Sequence, residues 1–160
     1  MLRIDADVRE EVIAHARDGV PEEVCGVLGG TRETSADTSP SGGTGRTDRV
    51  ETARRVENAA ADPRTRYEMA PVALLEAIEA LESAGDDVAG FYHSHPRGPA
   101  EPSATDRERA TWDGYCYVIV SPRSDDAAAA TGTTGSTWAV RAWRWDADAG
   151  RFREESVVTE

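Results

Sequence analysis

This 160-residue sequence predicts a mixed α/β domain with one central mixed β-sheet flanked by helices. Three observations carry that expectation. The apolar runs at 24–28, 88–92 and 115–121 have the length of buried strands. Stretches 5–19 and 71–85 repeat apolar residues at helical spacing instead. Strands and helices then interleave along the chain, which is the pattern of one layered α/β unit. At this length a single domain spanning 1–160 is expected, large enough to bury a core without disulfides or a structural metal.

In order, residues 5–19 place Val8, Val12, Ile13 and Ala16 on one helical face. Asp7 with Glu10 fits a capping box, Gly19 a stop, and Pro21 a breaker beyond it. His15 has no second ligand type near it and reads as an ordinary helix residue. Residues 24–28 form a strand. The segment 31–48 is rich in Ser, Thr, Gly and Asp, has no periodicity, and reads as a hairpin loop, flexible near 32–48. Residues 49–56 are the return strand. Pro63 breaks the loop at 58–66, and 67–69 make a brief strand. Pro71 suits a first helical turn. After it Val72, Leu74, Leu75, Ile78 and Leu81 form an apolar stripe, read as core, and Gly85 closes the helix. Next come a strand at 88–95, a Pro/Gly loop at 97–102, a short helix at 103–112 and a strand at 115–121. A second flexible loop is expected at 124–136. Residues 138–145, a turn at 146–150 and residues 151–158 make a closing hairpin.

The charge excludes some functions. Thirty acidic residues face eighteen basic ones, a net charge of −12, and every basic residue is Arg. Such a surface repels phosphate backbones, so no nucleic-acid partner is expected. No run approaches the roughly 20 apolar residues of a membrane span, and none resembles a secretory signal. A cytoplasmic protein with two free thiols, Cys25 and Cys116, is the expectation. The sequence leaves the oligomeric state open. The acidity and the lack of Lys resemble proteins of salt-accumulating halophilic archaea. Salt screens carboxylate repulsion, so the protein should lose structure in dilute buffer and regain it in molar KCl. A far-UV circular dichroism spectrum unchanged across that range would contradict this.

The chemistry centres on Phe91-Tyr92-His93-Ser94-His95-Pro96. In a strand, residues i and i+2 face the same way, so His93 and His95 project together. Pro96 ends the strand. Two imidazoles are half of a metal site, and a catalytic zinc takes three protein ligands and keeps one position open. Asp106, at the start of the next helix, is the expected third. Such an ion brings a bound water toward a pKa of about 7. Hydrolysis also needs a base that is not a ligand. Glu22 and Glu23, just before the strand at 24–28, are placed to supply one; they also read as solvated charge. Ser103 is placed to donate to a developing oxyanion. Ser103 and Asp106 equally fit a capping box, and one residue can do both.

Taken together, Glu23-Val24-Cys25-Gly26, His93-Ser94-His95-Pro96, Ser103 and Asp106 resemble the signature of the JAMM (MPN-plus) metalloprotease family, with matching spacing from His95 through Ser103 to Asp106. The resemblance runs from the Pro21 segment to the strand at 115–121, and includes Asn58 and the Tyr67 region less specifically. It implies the family's α/β fold, similar in layout to cytidine deaminases. It implies Zn²⁺ on His93, His95 and Asp106, Glu23 rather than Glu22 as the base, and Ser103 polarising the scissile carbonyl. The implied reaction cleaves the isopeptide bond between a ubiquitin-like modifier and a protein lysine. Modifier proteins and their conjugates are then the partners, the modifier tail being held by strand addition. Long insertions that grip ubiquitin chains in eukaryotic members have no room here, which implies a compact, permissive enzyme. Two other readings stand beside it: trimming the C-terminus of a sulfur-carrier protein, and a non-catalytic MPN scaffold. Scaffold modules lose ligands, whereas this chain keeps them all. A zinc deaminase would need a Cys-x-x-Cys that is absent.

Overall fold

The computed structural model describes residues 1–34, 45–122 and 138–160. Along the chain run β1 (Leu2–Ile4), α1 (Ala6–Gly19), β2 (Cys25–Thr34), β3 (Arg46–Val56), α2 (Pro71–Ser83), β4 (Asp87–Ser94), α3 (Ala104–Arg109), β5 (Cys116–Ser121), β6 (Ala139–Asp146), β7 (Arg151–Glu155) and β8 (Val157–Thr159). The eight strands of the described residues join one mixed sheet in the order β7-β6-β5-β4-β2-β3-β1-β8. β4 and β5 pair in parallel near its centre, while β2 lies antiparallel to both β3 and β4. This is the expected single mixed sheet with helices on its flanks. Among the described residues no helix is long and apolar enough to cross a membrane.

The two faces of the sheet divide the core, and a register shift against β2 at Val88–Gly90 interrupts the alternation of β4. Ala89 and Tyr92 of β4 pack with Leu2, Val50, Val118 and the apolar face of α1. Val88 and Phe91 point the other way, toward Leu81 of α2, Tyr117 and Trp145. The four α1 residues read from periodicity are the buried ones.

The sheet is strongly curled. Four strand steps separate β3 from β6, about 19 Å in a flat sheet. Yet Asp48 of β3 and Arg144 of β6 meet at 2.8 Å. β7 and β8, at opposite ends of the strand order, are separated in sequence by Ser156 alone, so the two margins approach each other. Asp48, fully buried, takes Arg144 and Arg46 at the seam, while Glu155 holds the other side of Arg144 at 2.6 Å.

Several expectations change. The N-cap of α1 is Asp5, not Asp7, and the Asp5 carboxylate turns to Arg49 at 3.3 Å instead of capping. β2 reaches Thr34 and β3 begins at Arg46, because residues 31–34 pair with 46–49. That shortens the loop expected at 32–48, and what remains, 35–44, lies outside the described residues. So does the loop expected at 124–136. The brief strand at 67–69 is a single bridge between Asn58 and Met69. The helix expected over 103–112 stops at Arg109, since Trp112 packs against Phe91 and Tyr115 and draws the chain away. Residues 151–158 are not one strand: Val157–Thr159 pairs in parallel with β1, a strand too short to show in the sequence. In α2, Leu81 is buried, but Val72 and Leu75 are 68% and 55% exposed.

Candidate metal centre and its surroundings

β4 delivers the first imidazole. Its register sets His93 opposite Cys25 of β2 and Ile119 of β5, and the His93 ring is buried. His95 lies one residue past β4, yet its N–H still donates to the Val120 carbonyl at 2.8 Å, which keeps it in strand direction. Ser94 faces the other way and its hydroxyl accepts from the Val24 N–H. The loop after Pro96 then returns: the Pro99 carbonyl accepts from His95 Nδ1 at 2.9 Å. That bond fixes the tautomer and leaves the Nε2 lone pair free.

α3 brings the carboxylate. Ser103 is its N-cap, with both halves of a capping box formed: Asp106 N–H donates to Ser103 Oγ at 3.1 Å, and Ser103 N–H to Asp106 Oδ2 at 2.8 Å. Because the Ser103 oxygen accepts that bond, its own O–H remains free to donate. The cap holds Asp106 Oδ2 at 3.2 Å from His93 Nε2 and 3.1 Å from His95 Nε2, and the two Nε2 atoms are 3.1 Å apart.

This triangle fits a metal. Zinc bonds of about 2.0 Å in tetrahedral geometry put the ligand atoms about 3.3 Å apart, close to all three edges. Without a proton or cation between them, two imidazole lone pairs and a carboxylate repel. Burial lowers the His93 pKa against the pull of Asp106. Burial acts likewise on His95, but its bonds to Asp106 and Pro99 prevail and raise it. Burial alone would raise Asp106, yet the imidazoles and the Ser103 N–H hold it far below the carboxylate range.

Glu23 precedes β2 and is 6% exposed, whereas Glu22 points to solvent. A Glu23 carboxylate oxygen and a ring nitrogen of each histidine lie within 4.8 Å of one another. Burial pushes its carboxyl up to about 7, with His95 opposing and Asp106 adding to the rise. A cation on the histidines would draw it back down. The backbone of Glu23 is clamped on both sides, its N–H donating to Pro63 at 2.7 Å and its carbonyl accepting from Asn58 at 2.9 Å. Gly26 answers to the opposite face. A Cβ there would stand 2.3 Å from the Tyr92 ring and 2.4 Å from the Arg54 carbonyl, so only glycine lets β2 pass this close.

The five residues singled out in the sequence therefore converge in space. The less specific parts of the resemblance lie around them. Tyr67 stacks on His93 with ring centroids 4.4 Å apart. Asn58, noted only as a weak part of the resemblance, makes four hydrogen bonds that shape residues 58–68 around Glu23. His15 meets the Tyr92 hydroxyl at 2.7 Å behind the site. Cys25 and Cys116 are free and buried, their thiols pushed up to about 12 by desolvation, which makes them inert at neutral pH.

His15 gives a pH test. Burial first, then Arg55, lowers its pKa to about 4, against Asp18; the ordinary value is about 6.5. Between the two the unfolded chain binds the extra proton, so stability is full above about 6.5 and is lost as pH falls toward 4. Discounted for partial exposure, this amounts to about 1 kcal/mol. Thermal melts at pH 7 and pH 5 in constant salt should fall further for the wild type than for His15→Gln. Equal falls would contradict it.

The chain matches the family model described as prokaryotic homologs of the JAB domain over residues 5–146. It is 41% identical over 163 residues to a desampylase of Haloferax volcanii, covering 99% of this chain and 96% of that one. A CysO-cysteine peptidase of Mycobacterium tuberculosis is 37% identical over 123 residues, covering 77% of this chain and 75% of that one. A solution structure of a protein from Desulfitobacterium hafniense superposes with a TM-score of 0.78 at 27% identity, covering 100% of this chain and 93% of that one.

Proposed function

The chain belongs to the family of prokaryotic homologs of the JAB domain, and from that premise we propose a zinc-dependent isopeptidase that removes ubiquitin-like modifiers from protein lysines. The observation that carries the reading is the triangle of His93, His95 and Asp106 donor atoms with the buried Glu23 beside it. The near full-length likeness to a desampylase supports the substrate class. His93, His95 and Asp106 would hold the ion. When bound, zinc supplies Lewis acidity, bringing the pKa of a water toward about 7.

The remaining work falls to side chains of the site. Glu23, fixed by Pro63 and Asn58, takes a proton from the attacking water and passes it to the leaving amine. The water oxygen adds to the carbonyl carbon first, and the C–N bond breaks afterwards, as the carbonyl re-forms and the nitrogen leaves with the proton. The Ser103 O–H donates to the carbonyl oxygen as it gains charge. The Pro99 carbonyl keeps His95 in the tautomer that offers Nε2 to the ion. A cytoplasmic location goes with this substrate class.

Trimming of a carrier protein's C-terminus uses the same machinery, and the likeness to a CysO-cysteine peptidase favours it as the second reading. A non-catalytic scaffold has no use for a carboxylate buried beside three converging donors. The test incubates the metal-loaded protein with modifier conjugates and with linear fusions, read by mass spectrometry. Cleavage should release intact modifier after its final glycine, stop with a chelator and return with Zn²⁺. Chelator-insensitive cleavage would overturn the proposal.

A further inference from the structure

The cavity in front of the metal centre, about 340 Å³, is walled by Glu23, His95 and Ser103 and also by Arg64 and Arg97. Two arginines at the mouth of a site in a protein of net charge −12 stand out. Both side chains are exposed, and neither has an ion-pair partner among the described residues. The nearby acids are committed elsewhere. Glu101 of the same cavity pairs with Arg141 at 3.2 Å, and Asp62 accepts from the Thr65 hydroxyl at 2.9 Å.

The backbones that carry the two arginines are fixed. Pro63, just before Arg64, accepts from the Glu23 N–H. Gly98, just after Arg97, accepts from the Ser121 hydroxyl, and Pro99 from His95. The backbone of each arginine is therefore held beside the cavity that its side chain lines.

The cavity can be assigned to one half of the substrate. Glu23 hands its proton to the departing nitrogen, so the leaving amine sits within reach of Glu23. The cavity that Glu23 walls then receives the leaving side, and the modifier tail comes from elsewhere. A guanidinium offers forked donors that match a carboxylate.

We propose that Arg64 and Arg97 bind a carboxylate on the leaving side of the scissile bond. This rests on the reading of the site as a metal-dependent amidohydrolase acting on modifier proteins. The carboxylate has two sources. One is the α-carboxylate of a single residue joined through its α-amine to the modifier's C-terminus. The other is an Asp or Glu side chain flanking an acceptor lysine. The arginines therefore select acidic leaving groups.

The experiment uses the full-length, Zn²⁺-loaded protein at fixed KCl with two matched substrate pairs. The first pair is a modifier ending in one extra residue as free acid or as amide. The second is a modifier joined through an isopeptide bond to a peptide whose lysine is flanked by Glu or by Gln. The wild type should favour the acidic member by about tenfold in kcat/KM, and Arg64→Gln/Arg97→Gln should bring that ratio near one. Calorimetric binding of the same pairs to Glu23→Gln, with and without the arginine substitutions, should show the same ratio in Kd. Discrimination in the first pair alone identifies the α-carboxylate, and in the second alone the flanking side chain. Acid and matched neutral substrates cleaved and bound equally would overturn the inference and leave the proposed function intact. If no substrate is cleaved or bound, both fall.

Discussion

Glu23→Gln should lose turnover by about 10² to 10⁴ while retaining close to one metal ion per chain. The substitution keeps the size and hydrogen-bonding reach of the side chain but removes its ability to accept a proton. The three donor atoms belong to other residues, and their spacing depends on the cap of α3 and the direction of β4. Metal content therefore separates a lost base from a lost site. Elemental analysis of the purified variant, beside conjugate cleavage, gives both numbers. Glu22→Gln is the control, because that side chain is exposed. If Glu22→Gln were the inactive variant, or if Glu23→Gln lost its metal, the role given to Glu23 would be wrong.

Asp48→Ala should destabilise the fold by about 3 to 5 kcal/mol, the cost of breaking a buried ion pair by removing one partner; Glu155 alone would then face Arg144. In a domain of this size that lowers the melting temperature by roughly 6 to 20 °C. Asp48 is fully buried and takes Arg144 at 2.8 Å and Arg46 at 3.2 Å. The converse is also testable. Replacing Asp48 and Arg144 together with apolar residues of similar volume should recover most of the loss, because the desolvation of both charges disappears with their attraction. Calorimetric melts in one high-salt buffer measure both. A single substitution costing under about 1 kcal/mol would mean that the seam is solvated.

The candidate metal centre was more legible in the sequence than the sheet that carries it. His93 and His95 are two apart on an apolar strand, and period-two geometry alone puts them on one side. Ser103 and Asp106 are three apart at a helix start, so a capping box already constrains their geometry. Choosing Glu23 over Glu22 took the wider motif, because adjacent carboxylates are equivalent until burial distinguishes them. Tyr67 entered only as a less specific part of the resemblance, and Arg64 and Arg97 carry no local pattern; the fold brings all three near the histidines. The curl of the sheet was also hidden. It depends on Asp48 meeting Arg144 and on β8 crossing to β1, and neither a lone Asp in a polar strand nor three residues near the chain's end announces a distant partner. In α2 the apolar stripe shows which residues share a face, not how much of that face the sheet covers, so Val72 and Leu75 were wrongly read as core.

The pairing of β1 with both β3 and β8 has a consequence in time. Leu2–Ile4 and Val157–Thr159 are far apart in the sequence, and they are adjacent in the finished sheet. Until residues 157–159 are available, β1 has one unpaired side. Glu155 and Arg144, which close over Asp48, also come late. Contacts so distant in sequence slow folding. On a ribosome β4, with His93, and α3 are made well before β8 can complete the sheet. The elements of the candidate site can thus be made while the seam is still being translated.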